Sequence, residues 1–325
     1  MLEFMKSKLR GQTTIGQQQT AKAKPLPDHV DGRAWSPWLM WKPLLNDLET
    51  LFLPKGKSHG FETVDDVEVR SRQHIKILRK SKIHEAIKLA NKLQECETDN
   101  CCNLLACFKC SREWRRWIFD QEVRLLLSAI RLRPIHLTID FCSAPIEIVQ
   151  KLKFLTLVKV NCRYDAGDIL DFNPKRFLNA LIARLRACGL KEVPCIGQID
   201  CEWNLKARQW FFHMHFTMAN PSDEGLRELE TRFYDIVLHP NNGKDFAQFQ
   251  VKRNKMTDED IIKRFSYEHK SLWAYRYKET GRERKVYTLP DEMLVECLLW
   301  KSYYTFADIT FLNKVRRSGG ELLFT

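Results

Sequence analysis

The stretch Trp210-Phe211-Phe212-His213-Met214-His215-Phe216-Thr217-Met218 constrains the fold more than any other part of the chain. Side chains on a β-strand point alternately to opposite faces. One face therefore carries Trp210, Phe212, Met214, Phe216 and Met218, which need a core, and the other presents Phe211, His213, His215 and Thr217. Two imidazoles at this spacing lie side by side, within reach of one metal ion without rearranging the backbone.

The chain just upstream supplies a partner strand. Ile199, Cys201 and Trp203 alternate with Gln198, Asp200 and Glu202, and the polar run 204–208 leads directly into the His strand, which predicts an antiparallel hairpin. Residues 135–141 predict a third half-buried strand, with Ile135, Leu137, Ile139 and Phe141 opposite His136, Thr138 and Asp140. The hairpin sets Asp200 or Glu202 beside His213 and His215. Two imidazoles and a carboxylate with open positions suit Mg²⁺ or Mn²⁺ that must also hold phosphate oxygens.

Helical periodicity accounts for most of the remainder. Val67 to Gln94 reads as one amphipathic helix, and further helices are predicted over 111–130, 174–188, 224–236, 257–275 and 291–304, with a strand over 246–251. On the 257–275 helix, Ile261, Ile262, Phe265 and Leu272 share one face, while Lys263, Tyr267 and Lys270 share the opposite one. A tyrosine turned away from the core between two lysines is where a nucleophile toward phosphate is expected; the plainer reading is a surface tyrosine among solvated charges. Arg115 and Arg116 are read either as phosphate contacts or as the solvated side of the 111–130 helix. The fold class expected is α+β, an antiparallel sheet with helices on one face and helical additions at both ends.

Cys107-Phe108-Lys109-Cys110 has the two-residue gap with which thiolates from a tight turn grip tetrahedral zinc, and Cys96 with Cys101 or Cys102 completes a set of four. Buried unpaired thiols are the alternative. An excess of Lys and Arg (53) over Asp and Glu (41) gives a net charge of +12, which favours a polyanionic partner such as nucleic acid. The sequence holds no apolar run of roughly 18 residues and no signal-like N-terminus, so a cytoplasmic chain without a membrane partner is expected. Residues 1–34 read as a disordered basic arm, 35–95 as a helical region, 96–120 as a Cys-rich zinc segment, 121–290 as the main domain and 291–325 as a helical extension.

The order of these motifs resembles the HUH endonuclease superfamily, in particular rolling-circle replication initiators of bacterial plasmids and related transposases. His136-Leu137-Thr138-Ile139 is similar to its first motif, His213-Met214-His215 to the second and Tyr267-Glu268-His269-Lys270 to the third, Tyr-x-x-Lys. The Cys cluster and Arg316-Arg317-Ser-Gly-Gly are also similar to some plasmid initiators, so the likeness covers about 96–320. It implies a ferredoxin-like nuclease core over 121–290 that nicks single-stranded or hairpin origin DNA through a 5′-phosphotyrosine on Tyr267. Lys270 would stabilise charge, and a metal would sit on His213, His215 and a third ligand. The family commonly uses Glu or Gln there, favouring Glu202 over Asp200. Host helicase and polymerase are the implied partners. Two departures stand out: Lys263 occupies the place where some initiators carry a water-activating Glu, and Tyr275 and Tyr277 lie too far along to act as a second nucleophile. Rival readings are a zinc-stabilised nucleic-acid-binding protein without catalysis, a metal-dependent hydrolase using water, and a transposase or relaxase of the same superfamily.

Overall fold

A computed structural model of the chain describes residues 63–97, 101–131, 152–205, 207–233, 236–238, 245–247, 249–252, 264–265, 267–269, 275–277, 285–287, 289–318 and 320–325. The expected arm, the part of the expected helical region before residue 63, the strand at 135–141 with its His136-Leu-Thr motif, Lys263 and Lys270 lie outside the described residues.

The helices are α1 (Val64–Lys80), α2 (His84–Gln94), α3 (Phe108–Arg131), α4 (Pro174–Ala187), α5 (Asp223–Arg232), α6 (Asp291–Ser302) and α7 (Phe306–Ile309). The strands are β1 (Leu152–Asp165), β2 (Cys195–Asn204), β3 (Gln209–Ala219), β4 (Ile236–Leu238), β5 (Asp245–Ala247), β6 (Phe249–Lys252), β7 (Tyr275–Tyr277), β8 (Lys285–Tyr287), β9 (Thr310–Asn313), β10 (Val315–Ser318) and β11 (Glu321–Phe324). Several expected boundaries change. The single helix over Val67 to Gln94 is two, because Lys82 adopts φ 57° and breaks the run between α1 and α2. The expected 246–251 strand is divided into β5 and β6, and Tyr275, expected at the end of a helix, lies in β7. The final segment is not all helical: β9 enters the main sheet and β10 pairs with β11.

The main sheet has the order β6-β1-β3-β2-β9, and every pairing in it is antiparallel. The β2–β3 hairpin forms as expected, with Asp200 opposite His213 and Gln198 opposite His215. Trp210, Phe212, Met214, Phe216 and Met218 are completely buried. Phe212 stacks on Phe172 at 3.6 Å between centroids and meets Trp300 of α6 at 5.5 Å, so α6 covers this face. Gly197 of β2 lies on the same face between Phe216 and Phe311 of the flanking strands, whose rings meet edge to face. A Cβ at Gly197 would overlap Phe216 Cβ and the His215 carbonyl, so glycine is what allows β2 and β3 to close here.

The other face is covered as well, which corrects the expectation of helices on one face only. Phe154 of β1 packs on Phe265, which meets Phe119 of α3. Thr217, His213 and His215 are 0%, 6% and 7% exposed. The sequence conceals this layer because its inward residues include charged ones. Arg112, Arg115, Asp120 and Glu122 of α3 are all buried, so neither phosphate contact nor a solvated side describes Arg115. Its Nε donates to the carbonyl oxygen of His269.

Candidate metal and tyrosine site

β3 is the central strand of the sheet, and its polar positions meet those of β2 in register. Asp200 Oδ2 lies 3.1 Å from His213 Nε2 and 3.7 Å from His215 Nε2. One ligand atom from each of the three falls within 4.8 Å of the others. Adjacent ligands of an octahedral ion with bonds of about 2.1 Å lie about 3 Å apart, so one carboxylate and two imidazoles at these distances fit a divalent cation. Two of the three side chains, His215 and Asp200, are held from behind. Thr156 of β1, opposite His215, hydrogen-bonds His215 Nδ1 at 3.0 Å and leaves Nε2 toward Asp200. Asp200 Oδ1 accepts from the Cys201 backbone N–H at 2.9 Å.

The carboxylate that the register brings to the two imidazoles is therefore Asp200. Glu202 sits opposite Phe211, one pair further along the same face, and is not brought into this group. Alternation places both carboxylates on one face, and only the cross-strand register separates them.

Tyr267 lies on a helical turn with Arg264, Phe265 and Glu268. Its ring centroid is 4.8 Å from that of His215, at 66°. Both residues line a cavity of about 230 Å³ together with Thr156, Gln250, Arg264 and Glu268. The cavity is the meeting place of His215 of β3 and the tyrosine, more than fifty residues later in the chain.

Two groups that sequence reasoning missed hold this turn against the sheet. Glu122 Oε2 is 2.7 Å from His269 Nε2, and Thr217 Oγ1 bonds the Glu268 carboxylate at 2.8 Å. Burial, then the adjacent Glu268 charge, raises the Glu122 carboxyl well above its usual range; burial also pushes Glu268 up to about 8 and the His269 imidazole down to about 3. In the sequence, Glu122 and Arg115 look like any other charges on a long helix, and the signal for their burial lies only in tertiary packing.

A second centre stands at the N-terminus of α3. Cys96, Cys102, Cys107 and Cys110 each place a sulfur within 4.8 Å of the rest. The Sγ separations are 3.6 Å for Cys96–Cys110, 3.6 Å for Cys96–Cys107 and 3.7 Å for Cys102–Cys110. A tetrahedron with Zn–S bonds of about 2.3 Å has edges of about 3.8 Å, so these four could bind a metal ion such as zinc. Cys102, not Cys101, completes the group. Cys101 lies 2.8 Å from Cys110 Sγ but outside the quartet. The mutual hydrogen bonds of the crowded thiols draw Cys96 and Cys102 below the ordinary range and push Cys107 and Cys110 above it.

No family model matches the chain, and no solved structure matches it. A mouse protein, SURP and G-patch domain-containing protein 2, is 37% identical over 109 residues. That stretch is 30% of this chain and 10% of the mouse protein, so the chain spans about a tenth of that relative. Among the described residues no helix is long and apolar enough to cross a membrane.

Proposed function

We propose that the chain is a metal-dependent tyrosine DNA endonuclease of the HUH superfamily. More particularly, we read it as a plasmid initiator that nicks and rejoins single-stranded or hairpin origin DNA to start rolling-circle replication. The observation that carries this reading is the cavity shared by His215 and Tyr267, with His213 and Asp200 beside it. A nucleophile and a metal-binding group built from distant parts of the chain face the same small space, as phosphoryl transfer by positioning requires.

Tyr267 Oη attacks phosphorus, the bond from phosphorus to the 3′ oxygen breaks, and the phenolic proton ends on the departing 3′-hydroxyl. The products are a 5′-phosphotyrosine and a 3′-OH that a host polymerase can extend after a helicase separates the strands. Asp200, His213 and His215 would hold Mg²⁺ or Mn²⁺, which supplies Lewis-acid polarisation of the phosphate. Thr156 keeps His215 oriented, and the Glu122–His269 and Thr217–Glu268 contacts fix the tyrosine turn. Arg264, in the cavity wall, offers a cation to the phosphate. Lys270 has the same role by its place in the motif.

The test uses the full chain, Mn²⁺ and labelled single-stranded DNA from the region flanking its coding sequence, with circular phage single strands as an unrelated control. A covalent protein–DNA adduct that survives denaturation, absent in Tyr267→Phe, is the expected result. Cleavage that persists in that variant would instead indicate a water-using hydrolase. The second reading, a zinc-stabilised nucleic-acid-binding protein without catalysis, is favoured by the thiol quartet and the net charge of +12; it predicts binding and no cleavage.

A further inference from the structure

A second group of donors lies on the same face of the sheet, beyond the Asp200 site. Glu122 comes from α3, and Glu268 and His269 from the tyrosine turn. One ligand atom of each lies within 4.8 Å of the others, and the three residues are 0%, 4% and 0% exposed. The His269 Nε2 to Glu122 Oε2 distance of 2.7 Å is close to a ligand–ligand edge around a small divalent ion.

The hydrogen bonding within the group is short of donors. Both oxygens of Glu268 lie 2.8 Å from Thr217 Oγ1, yet a hydroxyl has one proton to give. Glu122 Oε1 is buried with no hydrogen-bond partner. Arg115 directs its Nε to the His269 carbonyl. Arg264 favours the charged form of Glu268, but burial outweighs it. Two fully buried carboxylates that face one another with one orphaned oxygen need positive charge brought to them.

We propose that Glu122, Glu268 and His269 form a second divalent-cation site, separate from Asp200, His213 and His215. It would take an ion of the Mn²⁺, Fe²⁺ or Zn²⁺ type, since one imidazole and two carboxylates make a borderline, oxygen-rich donor set. Thr217, which bonds Glu268, is the next residue after His215 on this face of β3, so the two sites are neighbours along one strand. An ion here ties α3 to the turn that carries Tyr267. The assignment rests on donor chemistry alone and does not depend on the nicking reaction.

The experiment counts metal in the full chain. Wild type, His213→Ala, Glu122→Gln and the double variant are dialysed against Mn²⁺, and bound manganese is measured by electron paramagnetic resonance, beside native mass spectrometry of the intact protein. His213→Ala is expected to lose one manganese and keep one; the double variant is expected to keep none. Gln at 122 retains an oxygen for His269, so metal-free stability should be equal or higher, while the rise in Tm on adding Mn²⁺ should shrink. The proposal is overturned if Glu122→Gln binds as much manganese as wild type, which would mean a shared proton links the carboxyls. Should Glu122→Gln not fold, mass spectrometry of His213→Ala decides alone: a manganese beyond any zinc at the thiols supports the site, and none overturns it. Because the readout is metal, loss of the nicking reading would leave this result intact.

Discussion

At the scale of single residues, the site depends on which side chain the register places opposite His213. Asp200 and Glu202 share a face, and period-two alternation cannot tell them apart. The hairpin decides it, through a loop in which Asn204 Oδ1 accepts from Ala207 N at 3.0 Å and Arg208 adopts φ 53°. The resemblance to HUH endonucleases favours Glu202; the cross-strand pairing favours Asp200. A direct consequence can be measured in the metal affinity of the His213 site, with the Glu122 site silenced in the background. Asp200→Asn is expected to weaken Mn²⁺ binding by more than the ~10–100-fold typical of changes outside the ligand set. Glu202→Gln is expected to leave it within a few-fold. The reverse ranking would return the ligand role to Glu202. The apolar positions of β3 are a different case. They are readable from alternation alone, because burial of Trp210, Phe212, Met214, Phe216 and Met218 needs only a core on one side.

Among the elements, α3 connects more of the molecule than its sequence suggests. Its first turn holds Cys110, with Cys107 just before it; its middle carries Arg115 and Glu122 to the tyrosine turn. Trp117 Nε1 donates to the Gly320 carbonyl at 2.7 Å, and Gln121 Oε1 accepts from Leu322 N at 3.0 Å, so the same helix seats the C-terminal hairpin. Periodicity gives the existence and length of this helix to within a turn. It cannot assign its faces, since a helix buried on several sides with charged residues paired internally has no clean amphipathic stripe. The same weakness joins α1 to α2, whose apolar residues continue in phase across Lys82. The Cys motif is legible as a cluster that could bind a metal ion, yet the choice between Cys101 and Cys102 is not, because they are adjacent and only backbone conformation in that loop separates them. Asn103, with φ 53°, turns the chain immediately after them. If the quartet binds zinc, Cys102→Ser should release it at chelator concentrations that leave wild type loaded, and Cys101→Ser should retain it. Atomic absorption after dialysis distinguishes the two. Because ligand loss removes folding energy, the Cys102 variant should also unfold at lower temperature.

For the whole molecule, the number of buried ionisable groups sets how stability responds to pH. Glu296 of α6 accepts from the backbone N–H groups of Gly167 and Ile169, at 2.8 and 3.3 Å, and so fixes the loop that positions Phe172 against Phe212. Burial pushes its carboxyl from 4.5 up to about 7 despite those bonds. A folded value above the unfolded one means the group binds protons more tightly when folded. Its stabilising contribution is full below about 4.5 and is lost as pH rises through about 7. His74, lowered from 6.5 to about 3 by burial and then by Lys301 and Arg70, acts in the opposite sense, losing stability as pH falls through that interval. The His74 titration is common to wild type and a Glu296 variant, so it cancels in the difference between them. Glu296→Gln keeps the side-chain oxygen for Gly167 and Ile169 but removes the titration. The difference in unfolding free energy between wild type and this variant, taken from urea denaturation at steps from pH 4.5 to 8, should therefore move against wild type by roughly 3 kcal/mol at most, since each tenfold change in proton affinity is worth about 1.4 kcal/mol. Most of the change should fall between pH 5 and 7. A difference that stays flat with pH would mean that Glu296 is solvated like a surface carboxylate and that the Gly167 loop is held by packing alone.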